Sequence, residues 1–412
     1  MLHISPFGSI IGKVTTNDKH GGKRMKIDRA YFDAVIDRAG TACEKWDGRQ
    51  EVFGRKDVIP LWVADMDFAC APSIVEALKA RAAHPIYGYT DDVAENRLAE
   101  VNFLKRRFGL TVDPAWILPS PSVVDSMLFS LYALTAPGER VLIQPPVYGP
   151  FRETILPAGR AVAESPLLET AEGWKMDFAS LEAAFQSGIR CMFLCSPHNP
   201  VGRVWTRAEL EQLTSLVKAY KVRVIADEIH ASFTFAPHVH TPLRTLLPDA
   251  IMLTSATKAF NIAGLRQSSI IVSDEEARAA LQKEMHSVNA DHPNLFAMVA
   301  QRAAYETGDE WLDGCVDYIR ENRDLAYAFF AERLPEVGLH PLEGTYLMWL
   351  DMRKTGIEHE ALFRRLIDVG GVGLNTGLFF GEQGRGFFRL NLATQRKNVQ
   401  AGLEGIERAL RA

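Results

Sequence analysis

Short, nearly unbroken apolar runs recur through the middle of the chain. They lie at 140–144 (RVLIQ), 190–195 (RCMFLC), 222–227 (VRVIAD), 250–254 (AIMLT) and 268–273 (SSIIVS). Runs of this length without polar alternation predict strands covered on both faces. Amphipathic segments near 122–136, 178–186 and 206–220 separate them and predict helices. Strands alternating with helices mean crossover units and a mostly parallel sheet flanked by helices. After about residue 275 the pattern becomes helical, with a long helix over 310–334. A short β-rich part follows (345–351, 386–392), then a last helix over 395–411. The expected organisation is a poorly ordered leader (1–26) and an N-terminal segment of a small domain (27–75). A large α/β domain (76–305) and the small C-terminal α+β domain (306–412) complete it. The chain has no internal repeat, Pro-rich linker or long charge run.

Composition narrows the function classes. The 412 residues are 47% hydrophobic and 24% charged, the proportions of a globular protein rather than a disordered or fibrous one. A formal charge of −5 repels a phosphate backbone, which argues against nucleic acid as a partner. No stretch approaches the roughly 18 apolar residues of a bilayer span. Cys43, Cys70, Cys191, Cys195 and Cys315 are odd in number and form no CxxC pair, so a disulfide scaffold is not expected. A cytoplasmic setting follows as the simplest expectation. His238 and His240 are only two ligands in a Pro-containing loop, which favours a loop surface over a metal site.

In open α/β sheets ligands sit outside the carboxyl ends of the strands. The residues just past those ends are Tyr148, Asn199, Asp227 and Lys258, in chain order. A strand-end lysine taken alone is as well a surface charge. Here Lys258 stands in a small, weakly charged segment, Ser255-Ala-Thr-Lys-Ala-Phe-Asn261, that runs into apolar sequence. A pocketed lysine sheds its proton and forms Schiff bases. A carboxylate can hold a pyridinium nitrogen, an aromatic can cover a ring, and an amide can bind a ring hydroxyl. These are a protein's tasks around pyridoxal phosphate.

The motifs Pro60-Leu-Trp-Val-Ala-Asp-Met-Asp-Phe68, Tyr87-Gly-Tyr-Thr90, Ser196-Pro-His-Asn-Pro-Val-Gly202, Asp227-Glu-Ile-His230 and Ser255-Ala-Thr-Lys-Ala-Phe-Asn-Ile-Ala-Gly-Leu265 occur in this order. Over residues 27–412 the chain resembles the fold-type I pyridoxal-phosphate enzymes of aminotransferase class I/II. Within them it is similar to the cystathionine β-lyase branch typified by MalY and PatB. The resemblance implies Lys258 as the Schiff-base lysine, Asp227 as partner of the ring nitrogen, Asn199 on the ring hydroxyl and Tyr148 stacked on the ring. It implies phosphate binding by Ser122 and Val123 at a helix start, by Ser255 and by Arg266. The family commonly has Gly where Ser122 stands. Tyr89 matches a tyrosine that reaches the phosphate of a neighbouring subunit, hence a homodimer with shared sites. Arg389, in Phe387-Phe-Arg-Leu-Asn391, matches the arginine that grips the substrate carboxylate. Beside these stand plainer readings. Ser255 is also a candidate helix cap, Arg266 a salt-bridging surface residue, and Tyr148 a packed turn aromatic. Trp62, with Asp65 and Asp67, either lines the substrate entrance or packs and caps a loop. The run Gly371-Val-Gly-Leu-Asn-Thr-Gly377 does not fit a nucleotide loop and is expected as turns beside the site.

These core residues serve both transamination and β-elimination. His230 and the Pro60–Phe68 motif follow the lyase branch. The expected activity is therefore β-elimination from an L-cysteine S-conjugate such as cystathionine, giving thiol, pyruvate and ammonia. The alternatives are a class I/II aminotransferase and a pyridoxal-phosphate protein that binds a regulatory partner.

Overall fold

The apolar runs of the middle third become adjacent strands of one sheet. A computed structural model describes residues 26–412, so all of the expected leader except Lys26 lies outside the described residues. The strands are β1 (Ile117–Ser120), β2 (Arg140–Ile143), β3 (Ala161–Glu164), β4 (Cys191–Cys195), β5 (Arg223–Asp227), β6 (Ile251–Thr254) and β7 (Ser268–Ile271). Their spatial order is β1-β7-β6-β5-β4-β2-β3. Only β7 runs antiparallel to its two neighbours; the other pairs are parallel. Every residue of β4, β6 and β7 is buried. Coverage on both faces removes the polar alternation, which is why these strands stand out in the sequence. The edge strand β3 is half-buried throughout and carried no such signal.

The expected helices appear as Val123–Leu134, Phe178–Gln186 and Arg207–Ala219. Each begins at a side-chain cap, from Ser122, Asp177 and Thr206, and Thr206 with Glu209 forms a full capping box. The caps fix where each crossover leaves the sheet, and hence which residues face its carboxyl edge. His240, expected on a loop surface, is instead buried. Its ring nitrogen sits 2.8 Å from the buried Glu228 carboxylate, because the loop after β5 folds back on its own start.

The C-terminal lobe holds the long helix Asp309–Arg333 and a four-stranded antiparallel sheet. In that sheet Leu347–Asp351 pairs with Phe387–Asn391, and Asn375 lies beside Arg389. The early pair Ile59–Pro60 lies parallel to Val372–Gly373, which ties the N-terminal segment to this lobe. Helices Pro72–Ala82 and Leu295–Thr307 cross the expected domain limits at 75/76 and 305/306. We propose edges at Ala71/Pro72 and Gly308/Asp309, where elements begin.

Between the lobes runs Trp62–Phe68, a segment outside any strand. Its backbone carbonyls take side-chain donors one after another. Trp62 accepts from Arg389, Val63 from Asn391, and Ala64 from Lys258 and Tyr346. Asp65 accepts from Asn391 and Lys45, Met66 from Arg38 and Asn261, Asp67 from Gln395, and Phe68 from Asn261. Enclosed carbonyls need such partners where no ladder supplies them.

The segment's carboxylates form an ionic cluster. Lys45, with no exposed surface, lies 2.7 Å from Asp67, and Arg38 bridges Asp65 and Asp67 at 2.6 and 2.7 Å. Burial alone would raise the Asp67 carboxyl; Lys45 and the Trp46 N–H outweigh it and hold it below the usual carboxylate range. Its stabilising share is present above about pH 4 and is lost only as pH falls through the depressed folded value. Asp67→Asn leaves the buried Lys45 with only Asp65, 3.7 Å away, as its anion, which costs up to about 3–5 kcal/mol. Thermal unfolding should show a clearly lowered midpoint; an unchanged midpoint means that the cluster is dispensable.

Candidate active site

Because the strands from β2 to β6 are parallel, their carboxyl ends open on one edge. The cleft there is lined by Ser122, Val123, Tyr148, Asn199, Asp227, His230, Lys258 and Arg266. All of these were expected from the sequence. Apolar Val124, Met127 and Ile229 share the lining and keep the local dielectric low.

Lys258 lies on the one-turn helix Ala256–Ala259 that follows β6. Its accessible part faces the cleft, and its Nζ donates to the Ala64 carbonyl at 2.6 Å. Burial lowers its pKa to about 8; Asp65 and Asp227 oppose that shift and Arg389 adds to it. A sizeable fraction of the amine is therefore neutral near physiological pH, as a nucleophile requires.

Asp227 ends β5. One carboxylate oxygen accepts the Ile229 N–H at 3.0 Å. Burial, with the neighbouring Glu228 charge, raises its pKa to about 7, while the Ile229 N–H and Lys258 pull it down. A buried carboxylate in this state is completed by a cation. A protonated pyridine nitrogen supplies one. His230 is also buried, and burial, with Lys258 and Arg389, lowers its pKa to about 3, so the ring is neutral. Its Nδ1 is enclosed with no partner among the described residues.

Arg389, only 2% exposed, lies just behind the cleft wall. It donates to Asn199 Oδ1 at 3.1 Å and to the Trp62 carbonyl at 2.8 Å, and stacks 4.9 Å over Phe380. Burial lowers its pKa to about 10, so it remains a cation. Among the described residues its Nε has no partner and no carboxylate neutralises it, which suits an incoming anion. Asn199 offers its oxygen to Arg389, which turns its amide NH2 towards the cleft.

Ser122 caps helix Val123–Leu134, its Oγ accepting the Asp125 N–H at 3.1 Å. The first N–H groups of a helix lack intrahelical partners and offer an anion site with the positive dipole end. Arg266 stands at the mouth, largely exposed, and bonds Asp125 at 3.0 Å. Tyr148 packs near Phe379, with ring centroids 6.0 Å apart, and burial raises its hydroxyl's pKa.

Besides Arg389, three expected residues do not line the cleft. Ser255 caps its own helix, accepting from the Thr257 N–H, and donates to the Gln267 carbonyl at 2.5 Å. Trp62 directs its indole N–H to the Lys45 carbonyl and contributes its backbone oxygen to Arg389. Tyr89 is fully exposed on its own chain. Conversely, Thr257 and Gln267 line the cleft without having been expected, as does Ala64. Thr257 precedes Lys258 on the same turn, which was the available signal.

The donor set fits pyridoxal phosphate on this structure's own terms. A low-pKa amine, an uncompensated buried carboxylate, a ring-facing amide and a helix N-terminus converge on one cleft. An aldehyde offered to the protein and trapped with borohydride should attach at Lys258, read by peptide mass spectrometry. Equal attachment at other lysines would refute the special reactivity of this amine.

The profile of aminotransferase class I and II matches residues 56–406. Cystathionine β-lyase PatB of Bacillus subtilis is 38% identical over 92% of this chain and 99% of its own. Protein MalY of Escherichia coli is 34% identical over 92% and 99%. Cystalysin of Treponema denticola, whose crystal structure contains a pyridoxal 5′-phosphate cofactor, superposes with a TM-score of 0.89. It is 31% identical, over 92% of this chain and 98% of that one. With its seven-stranded sheet, the strand-end lysine and carboxylate, and matches of this length, the chain belongs to the pyridoxal-phosphate-dependent aminotransferase class I and II family, in its PatB- and MalY-like branch.

Proposed function

We infer that this chain is a pyridoxal-phosphate-dependent carbon–sulfur β-lyase, cleaving an L-cysteine S-conjugate such as cystathionine to thiol, pyruvate and ammonia. The observation that carries the reading is one cleft holding the Lys258 amine, the Asp227 carboxylate and, behind Asn199, the unneutralised Arg389. Bound pyridoxal phosphate supplies an aldehyde for the substrate amine and an electron sink for charge left at Cα.

The protein's part is binding, orientation and proton handling. Asp227 would hold the ring nitrogen's proton, and its burial makes that pair strong. Asn199 would donate to the ring oxygen through the amide that Arg389 orients. Ser122, Val123 and Arg266 would receive the phosphate at the helix start. Tyr148 would cover the ring. Arg389 would grip the substrate carboxylate with its free N–H. Lys258, once released by the substrate amine, would take the Cα proton at Nζ, and its pKa of about 8 suits that base near neutral pH. Neutral His230 adds no cation to the cleft wall.

Cystathionine incubated with the enzyme should release pyruvate without any added keto acid. A requirement for a keto acid would make the enzyme an aminotransferase instead. Arg389→Ala should raise KM for amino-acid substrates while the cofactor's visible absorbance persists, because a desolvated charge pair is worth about 2–5 kcal/mol. Equal effects on substrates with and without an α-carboxylate would refute that role.

We further propose a homodimer in which Tyr89 completes the neighbour's phosphate site. Its full exposure on its own chain supports this, and two-fold dimers are the commonest soluble assembly. Mixed under subunit exchange, inactive Tyr89→Ala and Lys258→Ala chains should regain part of the activity, since one hybrid site carries neither lesion. Confirmed exchange without recovery would place Tyr89 in its own subunit.

A further inference from the structure

The Ala64 carbonyl is shared. Lys258 Nζ donates to it at 2.6 Å and the Tyr346 hydroxyl at 2.9 Å. Tyr346 is fully buried and is locked from several sides. Its ring meets His230 edge-on at 5.7 Å and Phe233 at 4.9 Å. The chain reaches it through Thr345 at φ 67°, a conformation rare for a β-branched residue. Thr345 is held there by its N–H on the Phe233 carbonyl at 2.8 Å, and its hydroxyl accepts the Leu347 N–H. At the preceding Gly344, a Cβ would meet the Phe233 carbonyl oxygen at 2.8 Å. The backbone is thus committed to placing this one hydroxyl.

A Schiff-base lysine occupies two positions in each turnover, bound to the cofactor and free. When it leaves Ala64, this half-buried carbonyl of the cleft wall would keep only the Tyr346 hydroxyl as donor, and unmade hydrogen bonds away from water are costly. We propose that Tyr346 is a positioning residue whose hydroxyl keeps the Ala64 carbonyl satisfied, so that Lys258 leaves and returns without orphaning it, and whose bond divides that carbonyl's hold on the lysine cation. The proposal rests on the assignment of Lys258 as the cofactor-bearing amine.

The sign of its effect follows from the sharing. Without the hydroxyl, the carbonyl's full accepting strength falls on Lys258 and favours the ammonium form. The groups facing Lys258 are Asp65 from the Trp62–Phe68 segment, Asp227 and His230 from the end of β5, Arg389, Glu44 and Tyr346 itself. Tyr346→Phe leaves the charge of every one of them in place.

The test has two arms. In the cofactor-free full chain, the pH midpoint for amine labelling of Lys258, read by peptide mass spectrometry, should rise by about half a unit to one unit in Tyr346→Phe. In the holoenzyme, the acidic limb of the kcat–pH profile should move up by the same amount, with KM nearly unchanged. Tyr346→Leu, which also removes the ring, should shift the labelling midpoint as far as Tyr346→Phe does. An unmoved midpoint in folded Tyr346→Phe overturns the proposal. So does a shift confined to Tyr346→Leu, which would assign the effect to ring packing. Failure of the wild-type enzyme to release pyruvate would instead count against the lyase reading, because the labelling arm does not depend on turnover.

Discussion

The backbone from Trp62 to Phe68 runs between the lobes outside any strand ladder, and its carbonyls must still be paired. That requirement organises the site. The donors that meet it include Arg389, Asn391, Lys258, Tyr346 and Asn261, drawn from both lobes. Two of them, Lys258 and Arg389, are also the groups that act on substrate in the proposed function. A single segment therefore sets the separation between the base and the carboxylate anchor. It is itself anchored by Lys45 and Arg38 on Asp65 and Asp67, so an ion cluster away from the cleft stands behind the geometry inside it.

Burial then tunes what this geometry brings together. Removing charged groups from water pushes Lys258 and Arg389 down and Asp227 up. The protein thus holds a partly neutral amine, an unneutralised guanidinium and a carboxylate lacking a cation. Each is unfavourable alone, and in the proposed function each would be relieved by a specific part of an amino acid or of a pyridinium ring. A site of this kind gains affinity from groups it has already desolvated. Arg389 has no carboxylate partner among the described residues, whereas Arg203 bonds Glu343 and Glu209 within the fold; the proposed function assigns the first to a ligand and leaves the second to structure.

Much of this was legible in the chain. The strands whose both faces are covered announced themselves as unbroken apolar runs, and the rule that ligands sit at parallel strand ends singled out Tyr148, Asn199, Asp227 and Lys258. The helix beginning near 122 was visible as the onset of an amphipathic segment, and in the structure Ser122 caps it. The half-buried edge strand β3 had no comparable pattern. The expected limits at 75/76 and 305/306 fall inside helices Pro72–Ala82 and Leu295–Thr307, which pack on each other, and the proposed edges lie at the ends of those helices.

What the amino-acid sequence determined by itself is five of the sheet's seven strands, their crossovers and the residue types delivered to the carboxyl edge, since these follow from local patterns of apolar and polar residues. What only the tertiary structure decided is which distant groups meet there. Ala64 acts through a carbonyl, an atom every residue possesses, and it is found by side chains 194 and 282 positions away. His240 lay in an apparent surface loop until the fold set Glu228 against it. Trp62 enters by its backbone oxygen rather than its ring. Backbone acceptors carry no signature in a sequence, and burial is a property of what the rest of the chain packs around a residue; both exist only once the chain has closed.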